Sequence, residues 1–240
     1  MLTKTSKLLS VITAVVIVMS SALTAVAAPQ LIEGDGKGSL IIEVEVNPSK
    51  ADGDKSIAIG NNVNVSSDYG IGMGSNISLP EKANSAIAIG NFINNYTNPD
   101  GIFGQYGVMI GSHVEANDYG VVLGFKGKAR GYNSIALGQS AAAMEESAIA
   151  AGYGAGVYST NGISLGKSSR VGWESQNAVA IGTNAKVGDY AQNAIALGAG
   201  SYAEESNTLS LGMIADMGDG NFYHLTRRIT NMSAGINDTD

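Results

Sequence analysis

The residues of this chain with a claim to chemistry are few. His113 and His224 are the only histidines, and they lie in different regions with no cluster of partners at metal-ligand spacing. A structural or catalytic zinc site needs three or four ligands brought together, so two isolated imidazoles make a poor one. Glu145-Glu146 and Glu204-Glu205 are paired acids. Glycoside hydrolysis needs two carboxyl groups facing each other across a bond. Adjacent residues at a strand-turn junction point apart instead, which makes these pairs solvated turns. Gly70-Ile71-Gly72-Met73-Gly74 has the glycines of a phosphate loop but opens no helix. There is no Gly-x-Ser-x-Gly elbow, no Gly-Gly-x-Gly-x-Asp calcium repeat and no cysteine. The expectation is a protein that is not an enzyme and uses no cofactor and no metal.

Those Gly-x-Gly fragments belong to something larger. One phrase recurs from Ser56 to Gly212, as in Ser56-Ile57-Ala58-Ile59-Gly60, Ala86-Ile87-Ala88-Ile89-Gly90, Ser134-Ile135-Ala136-Leu137-Gly138, Ala178-Val179-Ala180-Ile181-Gly182 and Ala194-Ile195-Ala196-Leu197-Gly198. Eleven versions end in Gly60, Gly74, Gly90, Gly111, Gly124, Gly138, Gly152, Gly166, Gly182, Gly198 and Gly212, spaced 14, 16, 21, 13, 14, 14, 14, 16, 16 and 14 apart. A fixed period near 14 is the signature of a solenoid. The longest gap, Gly90 to Gly111, holds Asn94 to Gly101 and reads as an insertion protruding from one coil.

Alternation with period two before each glycine predicts a β-strand, and the excess of β-branched residues supports it. The residues three and one before the glycine are large and aliphatic: Ile57 and Ile59, Ile87 and Ile89, Ile135 and Leu137, Val179 and Ile181, Ile195 and Leu197. They share one face and are expected to stack as ladders inside the coil. The residue between them is mostly small and points the other way, toward a close neighbour. A second strand follows, with apolar residues at the third and fifth positions, such as Val63 and Val65 or Ala185 and Val187. Gly60, Gly90, Gly138, Gly182 and Gly198 supply the turn, where φ > 0 is needed. Two five-residue strands and two tight turns fill a coil of about 14 residues. Such a coil is thin, so lateral association is expected to stabilise it.

The flanks differ. Residues 1–27 read as a secretory signal, with Lys4 and Lys7, an apolar run from Leu8 to Met19 and a cleavage site at Ala25-Val26-Ala27. The apolar run is shorter than the roughly 20 residues a membrane span needs. Residues 28–55 include a strand around Ser39 to Val46 and are read as a cap on the open end of the solenoid, with a disordered leader as the alternative. Residues 56–212 are the repeat region. Residues 213–240 break the pattern: Met213 to Asn221 is a Gly- and Asp-rich transition, and Phe222 to Asp240 has no alternation long enough for another coil. The net charge is −7, or −9 without the two lysines of the leader. An acidic solenoid is unsuited to a phosphate backbone, so no nucleic-acid partner is expected.

The repeats at Asn133 to Gly138 and Asn177 to Gly182, followed by Arg227 to Asp240, resemble the head and neck of the YadA-like trimeric autotransporter adhesins over roughly residues 56–240. The resemblance implies an all-β fold, a left-handed parallel β-roll, assembled as a homotrimer through its inner strands. It implies neck residues at Arg227, Arg228, Asn231, Gly235 and Asp238. It also implies a surface adhesin binding host cells or matrix proteins such as collagen, fibronectin or laminin. In that family a coiled-coil stalk and a membrane barrel follow the neck, whereas this sequence stops at Asp240. The expectation is a fragment, or a head that is secreted or held by another protein. A structural fibre or spike using the same roll without host adhesion is the alternative. A β-helix acyltransferase would need a hexapeptide period and a catalytic histidine in a cleft, and neither is present.

Overall fold

The computed structural model describes residues 30–43, 47–94, 104–216 and 222–230, and every element among them is a β-strand. The proposed leader, most of the 94–101 insertion, and Asn231, Gly235 and Asp238 lie outside the described residues. The repeats form a solenoid. Each strand ending at a repeat glycine pairs in parallel with its counterpart one coil on, in register, from Ile57↔Ile71 to Ile195↔Leu209. These strands belong to one fourteen-stranded front sheet. The segments after the glycines stack as a seven-stranded back sheet from Glu115–Ala116 to Tyr202–Ala203. In the first coils the two halves are one bent strand, Ile57–Val65 and then Ile71–Leu79.

The bend is made by the glycine. Gly60, Gly90, Gly138, Gly182 and Gly198 have φ between 105° and 141°. A Cβ on Gly60 would stand 1.8 Å from the carbonyl oxygen of Gly74, and one on Gly138 would stand 2.7 Å from that of Gly152. Any side chain here would therefore meet the next coil's backbone as well as a strained φ. Two further bends per coil use the left-handed region at non-glycine residues, five before and two after the glycine. Among the described residues of this kind, which include Lys55, Tyr69, Tyr119, Asn177 and Asn193, none is β-branched, the class for which that region is most strained.

The interior reverses the expected orientation of the first strand. The middle column is the buried one: Ala58, Ala88, Met109, Val122, Ala136, Ala150, Ala180 and Ala196 are fully enclosed. They face the valines and alanines of the segments after the glycines, among them Val63, Val65, Val157, Val171 and Val187, which are equally enclosed. Ile57, Ile59, Ile87, Ile89, Ile135, Leu137, Val179, Ile181, Ile195 and Leu197, expected as interior ladders, stand on the outside, half-buried or exposed. The reason is width. The two strands of a coil lie so close that a Cβ on Gly72 would come within 2.7 Å of Val63 and 2.8 Å of Val65. Val122 is matched by Gly127, whose Cβ would come within 2.8 Å of the Val122 side chain, and the larger Ile77, Leu79 and Ile93 of the second strand are enclosed in the coils of Gly72 and Ala88. In another coil the space takes two hydroxyls, Ser164 and Ser169, bonded to each other at 2.7 Å. A buried pair of this kind is tolerated because each partner satisfies the other.

At the N-terminal end, Leu40–Glu43 pairs in parallel with the first repeat strand, so the front sheet begins one rung before the repeat does. Gln30–Glu33 then runs antiparallel along its edge. At the other end, Met213–Asp216 and Phe222–Leu225 form an antiparallel hairpin inside the segment that the sequence reading left without regular structure. Because the interior is full, Ala180→Leu is expected to overpack it, costing about 1–3 kcal/mol. A lowered midpoint of denaturant unfolding checks this, and an unchanged midpoint would mean that the alanine column does not face inward.

Candidate interaction surface

The outward-turned aliphatics form the largest organised feature of the molecule. Leu40 and Ile42 pair with Ile57 and Ile59, and the two columns run unbroken to Leu209. At about 4.8 Å per rung the strip is about 50 Å long and two side chains wide. Its outer members are well exposed, from 36% at Leu165 to 58% at Leu209. Contiguous apolar surface on this scale marks an interface, because isolated soluble domains keep such patches small. Parallel strands of this sheet, paired in register, present equivalent and mostly large aliphatic side chains on every rung.

Other columns carry order of a different kind. At the corner five residues before the glycine, the Asn161 amide donates to the Asn177 carbonyl oxygen at 3.2 Å, Asn177 to Asn193 at 3.2 Å and Asn193 to Asn207 at 3.0 Å. Tyr106 and Tyr119 occupy the same column earlier in the chain and stack at 5.1 Å, with Tyr132 next at 5.2 Å. The sequence reading missed both ladders. Reading that column as it read the glycines would have found them.

The chemical candidates stay dispersed. His113 packs between Phe92, tilted at 5.0 Å, and Phe125, edge-on at 5.8 Å, and its Nδ1 lies 2.9 Å from the Ser112 hydroxyl. His224 lies on the C-terminal hairpin. Among the described residues no three acidic, histidine or cysteine side chains converge as metal ligands. Glu204 and Glu205 are exposed, as is Glu146. Glu145 is half-buried, and its carboxyl is pushed above the usual range, first by burial and then by the negative charge of Glu174.

Of the neck residues, Arg227 and Arg228 are described. Arg227 folds back over the end of the solenoid. Its guanidinium donates to the Ser201 hydroxyl at 2.8 Å and to the carbonyls of Leu211 and Ala199. It sits where a further glycine would sit, 2.8 Å from the Cβ position of Gly198. Carbonyls at the end of the stack thus find donors in Arg227, from the segment after the repeats, instead of in another coil. Arg228 is exposed.

The fold therefore defines a β-solenoid with a continuous apolar front. Residues 47–62, 129–155, 174–189 and 190–213 match the family model for the YadA head domain repeat (2 copies). These segments of the roll are thus similar to YadA head repeats. Among curated proteins, none matches the sequence. The crystal structure of the collagen-binding domain of the Yersinia adhesin YadA is similar over 91% of this chain and 93% of its own, with 21% identity and a TM-score of 0.38.

Glu145 gives a pH test. A raised folded pKa means that the folded state holds the proton more tightly than the unfolded one, so this group's contribution worsens as the pH rises through the carboxylate range. Glu145→Gln is expected to unfold at a higher temperature than the parent at pH 7. The two should converge below about pH 4, where the parent glutamate is already protonated.

Proposed function

We propose that the chain is the head of an exported homotrimeric adhesin that displays its outer faces to host matrix proteins such as collagen, fibronectin or laminin. The observation that carries the assembly is the aliphatic strip of the front sheet. A single coil cannot bury Ile57, Ile59 and their equivalents, because its interior is already filled by alanine and valine. Bringing front sheets together buries both columns at once, each side chain contributing about 25 cal/mol for every Å² removed from water. The three-fold count follows from the resemblance to the YadA-like head. Adhesion also rests on that resemblance and on the form of the surface. A regular solenoid repeats its outer contacts every 4.8 Å or so, which suits many weak contacts to a fibrous ligand. Export rests on the leader read at residues 1–27, and surface attachment rests on the family.

Light scattering on the exported chain is expected to give three times the monomer mass. Ile135→Asn, Leu137→Asn and Ile149→Asn together should shift the mass toward the monomer and leave the strand signal in circular dichroism. A folded monomeric parent would remove the assembly. Binding is checked separately on immobilised collagen, fibronectin and laminin. Saturable binding to at least one is expected, and binding to none would favour a structural fibre.

A further inference from the structure

If the front sheet is consumed by assembly, a reading taken from the proposed function above, the back sheet is the face left to the outside. Its outward column is set by the strand register. Glu115, Lys128, Ala142, Gly156, Arg170, Lys186 and Tyr202 stand on successive rungs, each followed by an inward alanine or valine. In a chain of net charge −7 this column carries three cations on a line. At about 4.8 Å per rung, Lys128 and Arg170 are about 14 Å apart and Lys186 is one rung further. Between them lie Ala142, a small side chain, and Gly156, which is buried with the Tyr158 ring where a Cβ would stand.

Three observations mark this line as more than scattered surface charge. First, rings hold its cations in place: the Arg170 guanidinium lies 4.9 Å from the centre of Tyr158 and the Lys186 ammonium 5.1 Å from that of Tyr202. A cation resting on a ring has lost part of the freedom it would otherwise lose on binding. Second, Arg170 is under-satisfied. Its nearest carboxylate, Asp189, is 3.9 Å away, and its Nε is covered with no acceptor among the described residues. Third, at the near end Lys126 and Lys128 line a hollow of about 430 Å³ whose one carboxylate, Glu115, is already bonded to Arg130 at 2.6 Å. Exposed Trp173 packs against Tyr158 at 5.0 Å and adds an aromatic wall beside the cations.

We infer that the back sheet is a docking face for a linear sulfated polysaccharide, laid along the solenoid axis across Lys128, Arg170 and Lys186. A small anion would meet only one or two of these charges on an open surface. A polymer spans them all and gains from each in turn. Sulfate suits the guanidinium, which offers paired donors in one plane. Between the cations, the Tyr158 ring over Gly156 and the neighbouring Trp173 give sugar rings an apolar face to pack on.

The test uses the full chain on immobilised heparin, with chemically desulfated heparin and a DNA oligonucleotide of equal charge as comparisons. Binding to heparin is expected, weakening as salt rises. Lys128→Ser, Arg170→Ser and Lys186→Ser together should lower the affinity at least tenfold. Lys37→Ser, Lys50→Ser and Lys55→Ser, an equal change in net charge near the N-terminal end, should lower it less than twofold. Light scattering is run on every variant. An assembled chain that ignores heparin, that responds equally to both triple changes, or that prefers DNA or desulfated heparin overturns this inference and leaves the assembly standing. A monomeric chain that still loses heparin binding through the first triple change alone supports the docking face and overturns the assembly.

Discussion

The width of the coil interior governs the rest of this molecule. Each repeat folds back on itself at a glycine whose φ is open only to a residue without a side chain, and the next coil's carbonyl lies against it. The two strands so joined are separated by little more than an alanine and a valine. That space is filled, as the crowding at Gly72 and the pairing of Val122 with Gly127 show. Ile77, Leu79 and Ile93 enter it from the second strand, in the coils of Gly72 and Ala88, whereas the isoleucines and leucines of the first strand do not. They are driven to the far side of the same strand, and an apolar exterior follows from a narrow interior.

This gives the two faces different futures. The front carries the side chains a larger protein would bury, a surface of the kind that marks an interface. The back carries polar, charged and aromatic residues. The division is set by strand pleat: one residue faces in and its neighbours face out, along every coil.

Stacking also explains the ladders at the corners. A solenoid in register places equivalent residues one above another, so each column behaves as a one-dimensional series. Asparagine in such a series bonds to itself, as from Asn161 to Asn207, and tyrosine stacks on itself, as from Tyr106 to Tyr119. At the end of the series something must replace the missing neighbour, and Arg227 fills that place with a guanidinium against the last open carbonyls.

The sequence by itself determined the repeat, the strand before each glycine, the apolar positions of the second strand and the kinship of the repeats. All of these are encoded in spacing and residue type, which translate directly into local backbone conformation. The tertiary structure alone decided which side of the first strand is inside. Alternation states that two faces exist and that Ile57 and Ile59 share one. It does not state how far away the opposing strand will lie, and hydrophobicity alone assigns the larger residues to the core. The separation is set by the bends at both ends of the coil and by the valines already standing between the strands. The hairpin at Met213–Leu225 and the return of Arg227 were hidden for a related reason: both are contacts with the end of the stack, which exists only once the coils are assembled.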